Sequence, residues 1–491
     1  MPRTAVNAQP GSSTLTGWGR AHHASSRILR VGDTQEYASV LRATDRGPVV
    51  PRGCGSSYGD AATNAGGAVL DMTASRQVRH LDVDAGVVVA DSGLTIGSLL
   101  ALTAPHGWRP PVLAGTPNVS LGGAVAADIH GKNHPDAGSF GRHIDWILVL
   151  GGDLQPRLLS PEHHFDEFWA TVGGLGLTGP ILTVALRLAP LGPGPATTRR
   201  LRANSLRGVM DLLTTPFDPA CRADDDAHRG EVQAVAWLDG GAGGRGLVDI
   251  TTLPLPSTPG RAAAATRPTE AHQPDWPPTS RVRALSPPRE AGSAGRSLPS
   301  LPGSGLINRT TVRAAAAARW SMPGRHFRRT PVESAVFPLR HAGAWPALFG
   351  SSGLIQYQFA VPTEAADVVA QAVALLAGRR LPPALATLKK LGAGDPAPLG
   401  FALPGWTLAV DLPARWAGLN RALDDLDRLV IGAGGRVYLA KDLRLDPSRL
   451  EQMYPRVDHW RRIRDAMDPD HRFGSDLSRR LHLTPAHGGT S

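Results

Sequence analysis

Arg52–Asp60 reads RGCGSSYGD, Ala114–His134 reads AGTPNVSLGGAVAADIHGKNH, and Trp169–Ile181 reads WATVGGLGLTGPI. These three glycine-rich stretches decide the fold. Glycine lets backbone N–H groups approach a pyrophosphate closely, and successive N–H groups in a tight turn form an anion nest. None of the three has the glycine–lysine–Ser/Thr order of a Walker loop, and none gives a strand-to-helix dinucleotide fingerprint with its acidic partner. Taken singly, each reads as a plain loop more readily than as a cradle.

Their surroundings look ordered. From about Val49 to Pro190 the chain is dense in small residues and short β-branched runs, spaced for alternating strands and helices. Val87–Val89 predicts a strand, and Thr95 caps a predicted helix with Ile96, Leu99 and Leu100 on one face, ended by Pro105-His106-Gly107. From about 240 to 305 the sequence turns to GGAGGRG, TPGRAAAATRP and SPPREAGSAGRSLPSLPGSG, which predicts a flexible, low-complexity segment. Order resumes near Val332. SGLIQYQFAVP alternates, with Ile355, Tyr357 and Phe359 on one strand face and Gln356 and Gln358 on the other. Leu419, Leu423, Leu426 and Val430 step at helical spacing, Gly434-Gly435 stops the helix, and Arg436–Ala440 predicts a strand with Tyr438 and Ala440 sharing a face.

Composition bounds the chemistry. The 491 residues suffice for two to four domains. Two cysteines, Cys54 and Cys221, are too few for a thiolate zinc site, an iron–sulfur cluster or a disulfide framework, although one disulfide stays open. The formal charge of +10 allows weak attraction to phosphate or an anionic membrane surface without implying nucleic-acid binding. Only four of the 52 basic residues are lysines, Lys132, Lys389, Lys390 and Lys441, so each survivor marks a possible need for a compact ammonium of tunable pKa. No apolar run is long enough to span a bilayer and no secretory signal opens the chain, so a cytoplasmic protein is expected, with peripheral membrane contact open. No metal is expected: His130 and His134 are four apart, but Gly131 lies between them and no HExxH glutamate is present. No GxSxG elbow supports hydrolase chemistry.

In chain order, TGWGR (Thr16–Arg20), RGCGSSYGD, DIHGKNH, SFG, FWATVGGLGLTG, YQFAVPTEA, PGW, YLAKD, MYPRVD and SDLSRRL resemble the decaprenylphosphoryl-β-D-ribose 2′-oxidase family, within the vanillyl-alcohol oxidase superfamily. The resemblance implies an α+β chain. A PCMH-type, two-subdomain FAD-binding domain is built from 12–190 and a returning piece, 434–485. Between them, 191–433 is a substrate domain with an antiparallel sheet flanked by helices, interrupted by 240–305. It also implies oxidation of a ribose 2′-hydroxyl on a polyprenyl phosphate to the ketone, the first half of an epimerisation that a short-chain reductase partner completes. An unactivated secondary alcohol needs a hydride acceptor that no side chain supplies, so a cofactor carries that step. The implied FAD is noncovalent, because Ser56, Ser57 and Tyr58 stand where other superfamily members attach flavin to a histidine, and DIHGKN holds no cysteine.

By the same resemblance the flavin is held by Gly53, Cys54, Gly55, Ser56, Ser57 and Tyr58; by Gly115, Thr116, Asn118, Gly122, Gly123, Asp128, His130, Gly131, Asn133 and Gly138; by Gly174, Gly176, Gly179 and Ile181; and by Tyr438. Lys441, Tyr438 and His130 are the catalytic candidates: Lys441 as a cation beside the flavin or a proton carrier, Tyr438 as orienter or base. Lys132, Gln356, Gln358, Lys389, Thr407 and Ala409 are placed at the substrate, the glutamines suiting a polyhydroxylated sugar because each donates and accepts. The substrate side departs from the family: Ala335-Val336-Phe337 replaces a tyrosine and a histidine, and Thr407 and Ala409 replace an asparagine and a cysteine of mycobacterial members. Two other readings therefore stand, an oxygen-using FAD carbohydrate or alditol oxidase, and a non-catalytic protein that keeps the fold. Ala409 offers no thiol, so incubation with a nitroaromatic inhibitor that traps that cysteine should leave the intact mass of this protein unchanged.

Overall fold

A computed structural model describes residues 12–31, 36–44, 47–218, 230–239, 243–256, 303, 305–321, 327–340 and 342–485. The first sheet takes β1 (Ser12–Thr16), β2 (His23–Arg30), β3 (Val49–Arg52) and β4 (Ala68–Asp71) in the order β1-β2-β4-β3, with β2, β4 and β3 parallel. The second is antiparallel: β5 (Val78–Asp82), β6 (Val87–Asp91), β8 (Ile144–Leu150), β9 (Pro156–Leu159) and β10 (Ile181–Arg187), ordered β5-β6-β10-β8-β9. β7 (Trp108–Arg109) and β11 (Ala189–Pro190) pair separately.

The sequence signals explain the local structure here. Thr95 accepts from the Ser98 N–H and starts helix Ile96–Thr103, whose Ile96, Leu99 and Leu100 are buried, and left-handed Gly107 closes the following turn.

The third sheet is fully antiparallel and has eight strands: β12 (Ala196–Ala203), β13 (Gly230–Leu238), β14 (Gly246–Pro254), β15 (Phe327–Thr330), β16 (Leu354–Pro362), β17 (Leu385–Leu391), β18 (Gly405–Pro413) and β19 (Arg436–Val437). Their order is β15-β12-β14-β13-β17-β18-β16-β19. One face packs on helices Asp367–Gly378 and Leu419–Gly432, through Tyr357, Phe359, Leu408 and Val410 against Val369, Leu423 and Leu426.

Two expectations are corrected. The segment expected to be low-complexity contains β14, which lies between β12 and β13 with Val248, Ile250 and Leu253 buried. The β-branched run LVDITTL was hidden by its glycine-rich leader; 257–302 lies outside the described residues, as does Cys221, while Cys54 is exposed. The strand expected over Arg436–Ala440 ends at Val437. The Tyr438 N–H still donates to Gln358, but the Lys441 N–H donates back to the Tyr438 carbonyl, turning the chain inward.

The carboxyl-terminal segment is tied to the first sheet. Phe473 bridges Val49, and fully buried Arg464 donates to the Phe473 carbonyl at 2.8 Å and to Asp468 Oδ2 at 3.0 Å. Removing one partner of a buried ion pair strands the other charge, at about 3–5 kcal/mol. Arg464→Met should therefore lower the Tm markedly in thermal unfolding, whereas Arg462→Met on the same helix should change it little.

Candidate functional site

The floor of the main cavity is the other face of the third sheet. Residues two apart share a face, so antiparallel register sets side chains in rows. Gln356, Asp411 and Leu385 form one row; Gln358, Ala409, Thr387 and Trp237 the next; Thr407 and Lys389 the third. Lys390 points away, over the Trp406 ring and to Thr214. Both glutamines are buried, so the alternation of β16 separates helix-packed core from cavity wall rather than core from solvent.

Loops 53–58, 113–120 and 126–132 and the returning turn at 438–441 form the roof and sides. The enclosed volume is about 650 Å³, within the range of small-molecule sites. Contact between first loop and returning turn is close: the Tyr58 N–H donates to the Ala440 carbonyl at 3.1 Å, and a Cβ on Gly59 would lie 1.8 Å from the Asp442 carbonyl oxygen. Among the described residues the backbone N–H groups of Gly53, Gly55, Ser56 and Ser57 donate to no protein acceptor. Such a run of unpaired donors beside a cavity is what a pyrophosphate requires. The residues present therefore fit a dinucleotide cofactor.

Three of the four lysines enter this cavity. Lys441 Nζ lies 3.6 Å from the centroid of the Tyr58 ring, and burial, partly offset by Asp411, lowers its pKa to about 7. Burial, then neighbouring Lys132, brings Lys389 to about 7. Lys132 is lowered by burial to about 8, and its ammonium donates to the Ala335 and Val336 carbonyls at 3.3 and 3.2 Å. Asp411 accepts from Gln356 Nε2 at 2.6 Å and from Trp345 Nε1 at 2.8 Å, while burial lifts its pKa to about 6.

His130 joins the two halves. Its Nε2 is 2.9 Å from Gln358 Nε2 and its Nδ1 is 3.2 Å from Lys389 Nζ; burial, then the Lys389 charge, keeps the ring neutral. A neutral imidazole has one N–H and one lone pair, so these contacts are linked. When Lys389 is an ammonium, Nδ1 accepts, Nε2 carries the proton and Gln358 turns its carbonyl oxygen to the ring. With a neutral Lys389 amine accepting from Nδ1–H, Gln358 donates. Gln358 also contacts Thr407 Oγ1 at 3.1 Å. The Tyr438 hydroxyl donates to the Ala127 carbonyl at 2.6 Å, its ring stacks on Phe401, and burial pushes its pKa well up, so it is a neutral donor and not a base. His134 accepts from the Gly392 N–H at Nδ1 and meets Ser139 at Nε2, leaving no nitrogen for a metal.

Gly53–Tyr58, Gly115, Thr116, Asn118, Gly123, His130, Gly131, Lys132, Gln356, Gln358, Lys389, Ala409, Tyr438 and Lys441 all line the cavity. The other expected site residues do not. Gly122 abuts Ser92, Gly174 abuts the Ala170 carbonyl and left-handed Gly176 abuts Pro51. Left-handed Gly138 lies against Arg142, and Gly179, also at positive φ, against the Leu150 carbonyl. Asp128 accepts from the Gly141 N–H, Asn133 donates to Pro111 and Glu231, and Ile181 is core of β10. Thr407 sits behind Gln358. Leu175, expected to run along the flavin pyrophosphate, lines the cavity; Trp18, Trp237 and Leu339 line it without having been assigned to it, and Asp411 orients Gln356. A lone carboxylate in the otherwise apolar strand GWTLAVDLP was the available signal for Asp411.

A family profile described as FAD binding domain matches residues 25–153, and one for D-arabinono-1,4-lactone oxidase matches 419–481. The chain is 35% identical to decaprenylphosphoryl-beta-D-ribose oxidase of Mycolicibacterium smegmatis over 96% of this chain and 97% of that protein. It is 36% identical to an uncharacterized Streptomyces coelicolor protein from the mprA 5′ region, over 79% of this chain and all of that one. Alditol oxidase from a Streptomyces species is 26% identical over 36% of this chain and 43% of its own length.

A lysine lowered from about 10.4 to about 7 makes the unfolded state bind more protons between those values, so wild-type stability rises with pH across that window. Lys441→Met removes this burden from the protein stripped of cofactor. Its Tm should exceed wild type by a few degrees near about pH 6, the difference vanishing towards about pH 10.

Proposed function

The chain belongs to the decaprenylphosphoryl-β-D-ribose oxidase family, and from that premise we propose that it oxidises the 2′-hydroxyl of a ribose carried on a polyprenyl phosphate. It is an FAD-dependent oxidoreductase acting on a sugar hydroxyl. Noncovalent FAD, held by the unpaired N–H groups of Gly53, Gly55, Ser56 and Ser57 and the loop at Gly115–Gly123, would supply the two-electron acceptor for the carbinol hydrogen. The observation that carries this reading is the gathering of Lys132, Lys389 and Lys441 with two buried glutamines around one cavity. Ammonium groups recognise a phosphate-bearing substrate, and amides recognise sugar hydroxyls.

Lys441 has the pKa of an acid–base group working near neutrality. Its neutral amine takes the hydroxyl proton as the C–H bond breaks, and the ammonium so formed compensates the negative charge gained nearby. Gln356, fixed by Asp411, and Gln358, fixed by Thr407 and His130, orient the ribose. Tyr438 holds the wall through Ala127. The ketone product calls for a reductase partner of the short-chain class. A polyprenyl carrier brings the enzyme to a bilayer surface, which its net charge of +10 favours; no helix among the described residues is long and apolar enough to cross a membrane.

Acid precipitation of the pure protein should leave a yellow supernatant and a colourless pellet. Under anaerobic conditions farnesylphosphoryl-β-D-ribose should bleach the flavin absorbance, while free ribose and alditols should not; bleaching by alditols alone would establish the alditol oxidase reading instead. Lys441→Met should slow bleaching by about 10²–10⁴-fold. Tyr438→Phe should slow it less than about tenfold, because its hydroxyl serves packing and not proton transfer.

A further inference from the structure

A second cavity, of about 380 Å³, adjoins the first. Trp18, Tyr58, Trp237, Leu339 and Leu385 belong to both linings, so these residues form a shared wall. Beyond it the chemistry changes. The first cavity is lined by lysines and amides; the second is lined by four tryptophans, Trp18, Trp237, Trp320 and Trp345, with leucine, proline and alanine between them, and by four charged groups, Asp239 and Asp411 with Arg313 and Arg319.

Helix Arg309–Ser321 (RTTVRAAAAARWS) lies along one side and contributes Val312, Ala315, Ala316 and Trp320. The wall opposite includes Leu238 and Leu247, from β13 and β14. The helix is anchored by stacking: Trp320 lies 4.5 Å from the Arg245 guanidinium and 5.6 Å from that of Arg202, and Arg319 lies 4.4 Å above the Trp237 ring. Its alanines leave room that larger side chains would fill, although alanine is also simply the best helix former. Arg319 makes no ion pair among the described residues, so it places positive charge beside the shared wall.

A polyprenylphosphoryl sugar has three parts in fixed order: a hydroxylated ring, an anion and an apolar chain. The protein presents matching surfaces in the same order: the lysine and amide cavity, the shared wall with Arg319 beside Trp237, and the tryptophan-lined cavity. We propose that the cavity beneath helix Arg309–Ser321 seats the first isoprene units of the substrate's lipid tail. Its volume is far below that of a whole polyprenyl chain, so it reads the beginning of the tail and leaves the remainder outside. This inference rests on the proposed substrate class and adds where its apolar part binds.

The test uses full-length holoenzyme with farnesylphosphoryl-β-D-ribose and methylphosphoryl-β-D-ribose, alongside tryptophan fluorescence titrated with farnesyl phosphate alone. The farnesyl compound should have a kcat/KM at least about tenfold higher, through KM, because apolar burial contributes to binding. Ala316→Trp and Val312→Phe, which fill the cavity from the helix, should bring that ratio close to one, and farnesyl phosphate should no longer alter their fluorescence. Equal kcat/KM for the two substrates in wild type, or a ratio that survives both fillings, overturns the tail site. If neither ribose compound is oxidised, the proposed activity fails; a saturable farnesyl phosphate signal that is lost on filling would still support the apolar seat, and absence of that signal overturns it.

Discussion

Burial of ammonium groups against too few carboxylates is the constraint around which this protein is arranged. A buried charge without a partner is costly, so the group sheds its proton or waits for an anion. Asp411 partly compensates Lys441 and Asp249 partly compensates Lys132, whereas the groups that act on Lys389 include His130 and the like charges of Lys132 and Lys441. Structural ion pairs elsewhere in the chain are made by arginine: Arg464 with Asp468, Arg480 with Asp60 and Asp442, Arg444 with Asp427. Arginine stays charged and gives a fixed fork, whereas lysine can change protonation state near neutrality. The division of labour between the two residue types separates scaffold from site.

Holding that cluster together requires two independent pieces of architecture. The eight-stranded sheet supplies a flat array in which register alone sets Gln356 beside Asp411 and Lys389 beside Thr407. The glycine-rich loops supply backbone donors and His130 from above. The two meet where the Tyr58 N–H finds the Ala440 carbonyl and where Gly59 lets Asp442 approach. Since Lys441 belongs to that turn, the joint between the halves also positions an amine whose pKa burial brings down to about 7.

Much of this was legible in the sequence because strand and helix periods are local. The faces of β16 and of helix Leu419–Gly432 follow from alternation and from steps of three and four. The scarcity of lysine pointed to the cavity, which three of the four lysines line while Lys390 points away. What local patterns could not show was set by distant partners. β14 was hidden because glycines precede it, and only its pairing with β12 and β13 makes its apolar residues a core. Whether Tyr438 orients substrate or acts as a base could not be read locally, because the Ala127 carbonyl that accepts from its hydroxyl is 311 residues away in sequence. Nine of the residues expected at the flavin or substrate lie outside the cavity lining, in turns, close backbone approaches, strand core or supports, a distinction that motif matching cannot draw.

Lys389, His130, Gln358 and Thr407 form an unbroken line of polar contacts in which the imidazole and the amide each have a donor side and an acceptor side. Polarity along such a line is collective: one proton more or fewer at its lysine end reverses the imidazole tautomer and rotates the amide at the centre. The sugar would therefore meet a hydrogen-bond donor or an acceptor according to an ionisation event two side chains away. Energetic effects of replacing any two members will not sum, and the line behaves as one switchable element whose setting is shared by ligand and protein alike.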